Sequence, residues 1–177
     1  IITTIIGLIL GLVLFAVGLV AIAILVTYPK LPSLDAVQNY QPKMPLTIYS
    51  SDGKVIGVYG EERRAFTKIG DFPDVLKNAV LAAEDKRFYE HWGVDVVGVG
   101  RAIMGNITAG SVQSGASTIT QQVAKNFYLT NERTLTRKFN EALLAYKIEQ
   151  SLTKDQILEL YFNQIYLGQR AYGFTAA

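Results

Sequence analysis

The sequence contains no cysteine and only one histidine, His91. The lack of cysteine excludes a disulfide framework and a thiolate metal site, and a single histidine excludes a polyhistidine metal site. Charge is also missing from the N-terminal end, because no charged side chain precedes Lys30. The formal net charge of +2 is too small to indicate nucleic acid as a partner.

The uncharged run from Ile5 to Val26 consists almost wholly of aliphatic residues, glycine and phenylalanine. At about 1.5 Å per residue, it is long enough to cross a hydrocarbon core of roughly 30 Å. A cleaved signal peptide is the alternative, since Ala21-Ile22-Ala23 resembles a cleavage site. Because the apolar part of a signal peptide is usually only ~7–15 residues long, we predict instead a transmembrane signal anchor over residues 1–27.

Gly7 and Gly11 have the spacing that lets two membrane helices approach closely. Glycine is also simply common in membrane helices, so both interpretations stay open. No basic residue flanks the run on its N-terminal side, and flanking charge therefore leaves the orientation open.

The charged residues all lie in the remaining part of the chain, whose ~150 residues suit one domain with a real core. Residues 28–45 are predicted to be a proline-punctuated linker, and residues 46–177 the domain. Asp52-Gly53 lies between two β-branched and aromatic runs, which predicts a hairpin over residues 46–59. Beyond Asp71 the apolar spacing is helical, so the domain is predicted to be mainly α. Helix starts are predicted from capping side chains or proline at Pro73, Asp95 (with a helix through Met104), Ser117, Thr134 or Thr136, and Thr153 with Gln156.

Adjacent carboxylates close the first of these helices, at Glu84 and Asp85. A carboxylate beside another carboxylate, or against Phe88 and Trp92, would have its pKa raised by like charge and desolvation. A general base working near neutral pH needs such a pKa, and Glu84 is the better candidate. The alternative is an ordinary solvated helix end. The lone His91 is predicted to be a packed, hydrogen-bonded side chain rather than a catalyst.

A second polar cluster combines Arg137, Lys138 and Glu141, which share one helical face. One interpretation is a pair of intrahelical ion pairs, each contributing only a few tenths of a kcal/mol. The other adds Lys125 and Arg133 to form a phosphate-binding face, where Glu141 helps to hold a divalent cation against a diphosphate.

A third cluster runs from Gly115 to Gln122, where a loop of small residues leads into a helix N-terminus at Ser117. Backbone N–H groups and the positive end of the helix dipole would favour an anion there. Gln121 and Gln122 add neutral donors suited to sugar hydroxyls or phosphate oxygens.

Four ordered segments resemble the motifs of the peptidoglycan glycosyltransferase domain of class A penicillin-binding proteins, carbohydrate-transferase family 51. They are Glu-Asp-x-x-Phe-x-x-His-x-Gly at 84–93, Gly-x-Ser-Thr-Ile-Thr-Gln-Gln at 115–122, Arg-Lys-x-x-Glu at 137–141, and Lys-x-x-Ile-Leu-Glu-x-Tyr-x-Asn-x-Ile-Tyr-x-Gly at 154–168. Phe162 stands where the family usually has Leu, a core-type change that we expect to be tolerated. Ser151-x-x-Lys154 matches a transpeptidase motif but lacks its companion motifs, so we reject it.

The resemblance implies a lysozyme-like helical domain on the outer, periplasmic face of the bacterial cytoplasmic membrane. The implied substrate is lipid II, and the implied product is a β-1,4-linked glycan strand. Glu84 would be the base, and Glu141 would assist catalysis by holding Mg²⁺ or Mn²⁺. The implied substrate-binding residues are Asp85, Phe88, Gly115, Ser117, Thr118, Gln121, Gln122, Lys125, Arg133, Arg137 and Lys138.

Family members continue into further glycosyltransferase helices and usually a transpeptidase domain. We therefore expect the domain here to be C-terminally incomplete, with no transpeptidase in these residues. The implied partners are lipid II, the growing glycan-diphosphate-undecaprenol, membrane lipid, phosphoglycolipid inhibitors of the moenomycin type, and a second copy or cell-wall synthesis proteins.

Two other classes of function stay open. A lytic transglycosylase or lysozyme-like hydrolase would share a helical fold and one essential glutamate, but its products would be shorter glycan strands. A non-catalytic membrane scaffold would bind lipid II without turnover.

Overall fold

The computed structural model describes residues 2–41, 45–60, 62–111, 115–129 and 134–177. The chain divides after Ser33 into two compact units. The first unit is dominated by helix α1, Ile2–Thr27, and ends in a 3-10 turn at Tyr28–Lys30. The segment from Thr3 to Lys30 is long and apolar enough to cross a membrane, and its apolar window buries none of its surface. The long apolar helix predicted from the sequence is therefore present.

The second unit begins with a short helix, α2 (Asp35–Gln38), and the predicted hairpin of β1 (Leu46–Tyr49) and β2 (Val55–Tyr59). The two strands are antiparallel, with Leu46 opposite Tyr59. Gly53 turns the chain with a φ of +78°, a value that glycine adopts without a Cβ penalty. The sequence did not predict a second, parallel pair of two-residue strands, β3 (Arg63–Arg64) and β4 (Ala171–Tyr172).

Helices are the main regular structure of the second unit, as predicted. Their bounds are α3 Asp74–Glu84, α4 Val96–Ala109, α5 Ile119–Tyr128, α6 Leu135–Ser151 and α7 Lys154–Gln164. Helix α5 packs against both α6 and α7, and this contact forms the centre of the core. The largest fully buried side chains there are Ile119, Val123, Leu144, Ile148, Ile157, Leu158, Tyr161 and Phe162.

Capping side chains begin three of these helices. Thr153 and Gln156 form the predicted capping box of α7, and the Thr134 hydroxyl accepts the backbone N–H of Arg137 at the start of α6. The predicted cap of α5 at Ser117 is wrong by one residue, because Thr118 forms that capping box with Gln121. Ser117 is exposed and accepts a hydrogen bond from α6 instead.

Helix α4 differs from its prediction at both ends. Asp95 precedes the helix but makes no capping hydrogen bond, because its carboxylate binds the Arg87 guanidinium at 3.0 Å. The helix continues past Met104 to Ala109 and ends where Gly110 adopts a φ of +65°. A left-handed glycine is a common end for a helix, so Gly110 is the sequence signal that fixes this boundary.

The loop between α3 and α4 approaches α6 at Gly93, which has a φ of +90°. A Cβ atom at this position would lie 2.8 Å from the carbonyl carbon of Ala145. Both the backbone conformation and the close approach therefore require glycine at the end of this loop.

We predict that Gly93→Ala lowers the free energy of unfolding by about 2–5 kcal/mol, because a left-handed conformation costs about 1–2 kcal/mol and overpacking about 1–3 kcal/mol. Gly110→Ala is the matched control, since Gly110 also has a positive φ but, among the described residues outside its own helix and chain neighbours, no atom lies within 4 Å of the added Cβ. Chemical denaturation of the detergent-solubilised chain, followed by circular dichroism, measures both. Equal losses for the two variants would contradict the packing argument.

Candidate active site

A cleft of about 340 Å³ opens at the C-terminal end of α3. The other walls come from α4 and from the residues that lead into α5. The lining includes Glu84, Arg87, Asp95, Arg101, Gly115 and Ser117. Two of the three polar clusters predicted from the sequence therefore meet at one cleft.

Glu84 is the last residue of α3, and its side chain is exposed. The Gln122 side-chain amide on α5 donates a hydrogen bond of 2.8 Å to Glu84 Oε2. Among the described residues, Oε1 of this carboxylate has no hydrogen-bond partner. Glu84 thus presents one oriented and accessible carboxylate to the cleft.

Asp85 has the opposite environment, because the chain leaves the helix at this residue and turns its side chain into the interior. Its two oxygens accept hydrogen bonds from His91 Nε2 at 2.9 and 3.0 Å, and Oδ2 also accepts the Ile119 backbone N–H at 3.0 Å. His91 is packed and hydrogen-bonded, as predicted. These contacts tie the loop after α3 to the start of α5, and a role of Asp85 in substrate binding stays a prediction.

Other residues predicted to bind substrate are also interior. Phe88 is 1% exposed, and its ring lies near the ammonium group of Lys154. Thr118 and Gln121 are buried in the α5 capping box, and the Thr118 hydroxyl also donates to the Gly93 carbonyl at 2.5 Å. These side chains support the walls of the cleft, whereas Gly115 and Ser117 are exposed at its surface.

The cluster on α6 is built around the buried carboxylate of Glu141. Arg137 Nη1 donates to Glu141 Oε2 at 2.6 Å, and Lys138 Nζ pairs with Glu141 Oε1. Lys138 Nζ also donates to the Ser117 hydroxyl at 2.8 Å, which joins this cluster to the loop before α5. The predicted intrahelical ion pairs are present, and they hold two cations beside the loop that lines the cleft.

Two further cations were predicted for this face. Lys125 is exposed on α5, one turn after Gln122 and on the same side of the helix. Arg133 lies outside the described residues. Arg137 Nε is buried and has no hydrogen-bond partner in the described part of the chain.

The sequence predicted a Mg²⁺ or Mn²⁺ site at Glu141. Within the described ranges, no group of three or more His, Asp or Glu side chains could hold a metal ion. Both oxygens of Glu141 already accept bonds from cations. This donor set does not fit a resident divalent cation, and the metal stays a prediction.

Sequence reasoning missed several residues around the cleft. Arg101 and Asp95 line it from α4, but nothing in the helical pattern showed which face of α4 would meet α3. The Glu90 hydrogen bond, together with the charges of Asp95 and Asp85, raises the pKa of Arg87 and keeps it cationic. The sequence also did not place Tyr161 near Glu84. Burial and, to a smaller extent, the charge of Glu84 raise the pKa of the Tyr161 hydroxyl.

Comparison with known proteins gives consistent matches. The transglycosylase family profile matches residues 52–177. The penicillin-binding protein 1A of Neisseria cinerea is 81% identical over 177 residues, and that of Neisseria gonorrhoeae is 79% identical over the same length. The penicillin-binding protein 1A of Pseudomonas aeruginosa is 54% identical over 149 residues, or 84% of this chain. The chain spans 22% of the length of the Neisseria proteins and 18% of the Pseudomonas protein.

We predict that Glu141→Gln destabilises the domain by about 1–3 kcal/mol, because the partly buried Arg137 loses its carboxylate partner. Glu90→Gln is the control, since Glu90 is exposed and its pair with Arg87 should contribute at most about 1 kcal/mol. Urea unfolding of the detergent-solubilised variants measures both. A Glu141 variant as stable as the control would show that the α6 pairs contribute no more than surface pairs.

Proposed function

The chain belongs to the transglycosylase family of peptidoglycan glycosyltransferases, and on this premise we propose that its domain polymerises lipid II into β-1,4-linked glycan strands. The transfer inverts the anomeric carbon of the growing strand, and undecaprenyl diphosphate leaves. The observation that carries the proposal is the accessible Glu84 carboxylate, oriented by Gln122, at a cleft whose lining residue Ser117 accepts a hydrogen bond from Lys138 of α6.

Glu84 is the proposed general base. It takes the proton of the acceptor 4-hydroxyl as that oxygen attacks the anomeric carbon, and the electron pair of the breaking C–O bond leaves with the diphosphate. A general base must reach the proton that it removes. Both carboxylates of the pair line the cleft, but Glu84 is exposed and Asp85 is buried. Asp85 is committed to His91 and Ile119, so it supports the base rather than sharing its role.

Lys138, Arg137 and Lys125 are proposed to stabilise the leaving diphosphate. Fixed cations aimed at developing negative charge lower the barrier because they need not reorganise during the reaction. Charge-assisted hydrogen bonds to phosphate are also among the strongest that proteins make. Glu141 holds Arg137 and Lys138 in place, and we propose this positioning as its contribution to catalysis.

The divalent cation is proposed to arrive with the diphosphate of the substrate. Mg²⁺ usually keeps several waters and binds through one or two carboxylates together with substrate phosphates. Such an ion neutralises diphosphate charge, and Glu141 is the carboxylate nearest in sequence and space to the proposed phosphate-binding cations. No step of the proposed transfer depends on it.

Helix α1 is proposed to be a single-pass anchor in the bacterial cytoplasmic membrane, with the domain on the outer face. Both glycosyl substrates carry lipid, so a tethered enzyme meets them at high effective concentration. Phosphoglycolipid inhibitors of the moenomycin type are proposed to compete for the diphosphate-binding cations. Association with a second copy or with cell-wall synthesis proteins stays a prediction.

We predict that Glu84→Gln lowers kcat for lipid II polymerisation by about 10²–10⁴-fold, the usual contribution of a general base. The assay uses the detergent-solubilised chain with Mg²⁺ and resolves glycan strands by length. Glu90→Gln, an exposed glutamate in the following loop, is the control and should keep parental activity.

Equal activity of Glu84→Gln and parent would overturn the assignment of Glu84. Shortening of added glycan strands would indicate the hydrolase or lytic alternative instead. Binding of lipid II by the parent without any turnover would favour the scaffold alternative.

A further inference from the structure

Lys154, the first residue of α7, lies away from the cleft lining but contacts the loop that follows Glu84. Its ammonium group donates to the His91 carbonyl oxygen at 2.7 Å and to Glu149 Oε1 at 2.7 Å. The same nitrogen lies 4.5 Å from the centroid of the Phe88 ring. The side chain is 19% exposed, so these contacts are made largely out of water.

The position of this cation in its own helix argues against a role in helix stability. A positive charge at a helix N-terminus faces the positive end of the helix dipole and is unfavourable there. Thr153 and Gln156 already satisfy backbone donors at this end through their capping box. The unfavourable interaction of Lys154 with the helix dipole must therefore be offset by its tertiary partners. Two of these partners, Phe88 and His91, belong to the loop over residues 85–93.

Three helices hold the 85–93 loop: α5, α6 and α7. Helix α7 contacts it through Lys154 and also through Asp155, which accepts a 3.0 Å hydrogen bond from the Tyr89 hydroxyl. At its start, the Asp85 carboxylate accepts the Ile119 N–H of α5. At its end, Gly93 packs on the α6 backbone and its carbonyl accepts the Thr118 hydroxyl. Between these two places, the Lys154 ammonium group donates to the loop backbone through the His91 carbonyl.

His91 connects this middle contact to the proposed base. Its backbone is held by Lys154, while its ring binds both oxygens of Asp85, the residue next to Glu84. A displacement of His91 would therefore displace Asp85, and it would change the orientation of the adjacent Glu84 side chain. Glu149 fixes Lys154 in turn, because the same carboxylate oxygen accepts a 2.6 Å hydrogen bond from Thr120 of α5.

We propose that Lys154 is a positioning residue for glycosyl transfer, which holds the 85–93 loop so that Glu84 faces the cleft. The inference rests on the proposed function of Glu84. Lys154 touches neither substrate nor the reacting atoms, and it acts through His91, Phe88 and Asp85.

The test compares Lys154→Met, which keeps an unbranched apolar chain but removes the charge, with Lys154→Arg, which keeps the charge. Lys77→Met on α3 is the matched control, because Lys77 has a 21% exposed side chain and a 2.7 Å ion pair with Asp74. All four proteins are assayed for lipid II polymerisation below the onset of thermal unfolding. Trp92, the only tryptophan of the chain, lies next to His91 and reports the order of the loop by its fluorescence anisotropy.

We expect Lys154→Met to lower kcat by about 10- to 100-fold, because a displacement of about 1 Å at a catalytic group can cost that much. KM for lipid II should stay within about threefold, since Lys154 does not contact the substrate, and Trp92 anisotropy should fall. Lys154→Arg should have an intermediate kcat, and Lys77→Met should match the parent in both measurements.

A parental kcat in Lys154→Met would overturn the inference. So would a loss of kcat that only follows the unfolded fraction while Trp92 anisotropy is unchanged, because that result describes a purely stabilising residue. If Lys154→Met does not fold, Lys154→Arg decides, and parental values of both its kcat and its anisotropy would overturn the inference. An inactive parent would overturn the proposed function itself. An active parent with an equally active Lys154→Met variant would overturn only the inference about Lys154, so the two failures are distinguishable.

Discussion

The buried Asp85 carboxylate is the interaction on which the rest of the site depends. A buried charge is tolerated only when it is paired and hydrogen-bonded, and Asp85 meets this requirement with the His91 ring and the Ile119 amide. Because Ile119 begins α5, the pairing brings the end of α3 against the start of α5. Gln122, one turn further along α5, can then reach Glu84. The cleft is a consequence of satisfying this one interior charge.

The end of α3 separates the adjacent carboxylates into different roles. Glu84 is still helical and exposed, whereas Asp85 leaves the helical conformation, with a φ of −158° and a ψ of 75°, and is buried. The sequence argument expected Phe88 to desolvate the base, but the Phe88 ring is in the core beside Lys154. Two adjacent residues thus supply the proposed base, Glu84, and the buried side chain that fixes its backbone, Asp85. This adjacency explains why the motif at 84–93 is short.

The features that the sequence predicted correctly depend on local chemistry. The apolar run of α1, the Asp52-Gly53 turn and the Thr153–Gln156 capping box are each decided within a few residues. The contacts that build the site join distant residues, such as Asp85 with Ile119 and Lys154 with His91, and no spacing rule reveals them. Ser117 and Thr118 show the limit most clearly. Either can cap a helix, and the choice depends on tertiary partners, since Thr118 also binds Gly93 while Ser117 binds Lys138.

The α6 cluster illustrates how a buried carboxylate can support the proposed anion-binding face. Arg137 and Lys138 are adjacent cations, and without Glu141 they would repel each other and turn towards solvent. Glu141 accepts a bond from each and leaves the group with one net positive charge. The cations are therefore already in place before an anion arrives, so little reorganisation is needed when charge develops. Glu141 therefore lowers the net positive charge of the cluster, but it fixes the positions of the Arg137 and Lys138 side chains.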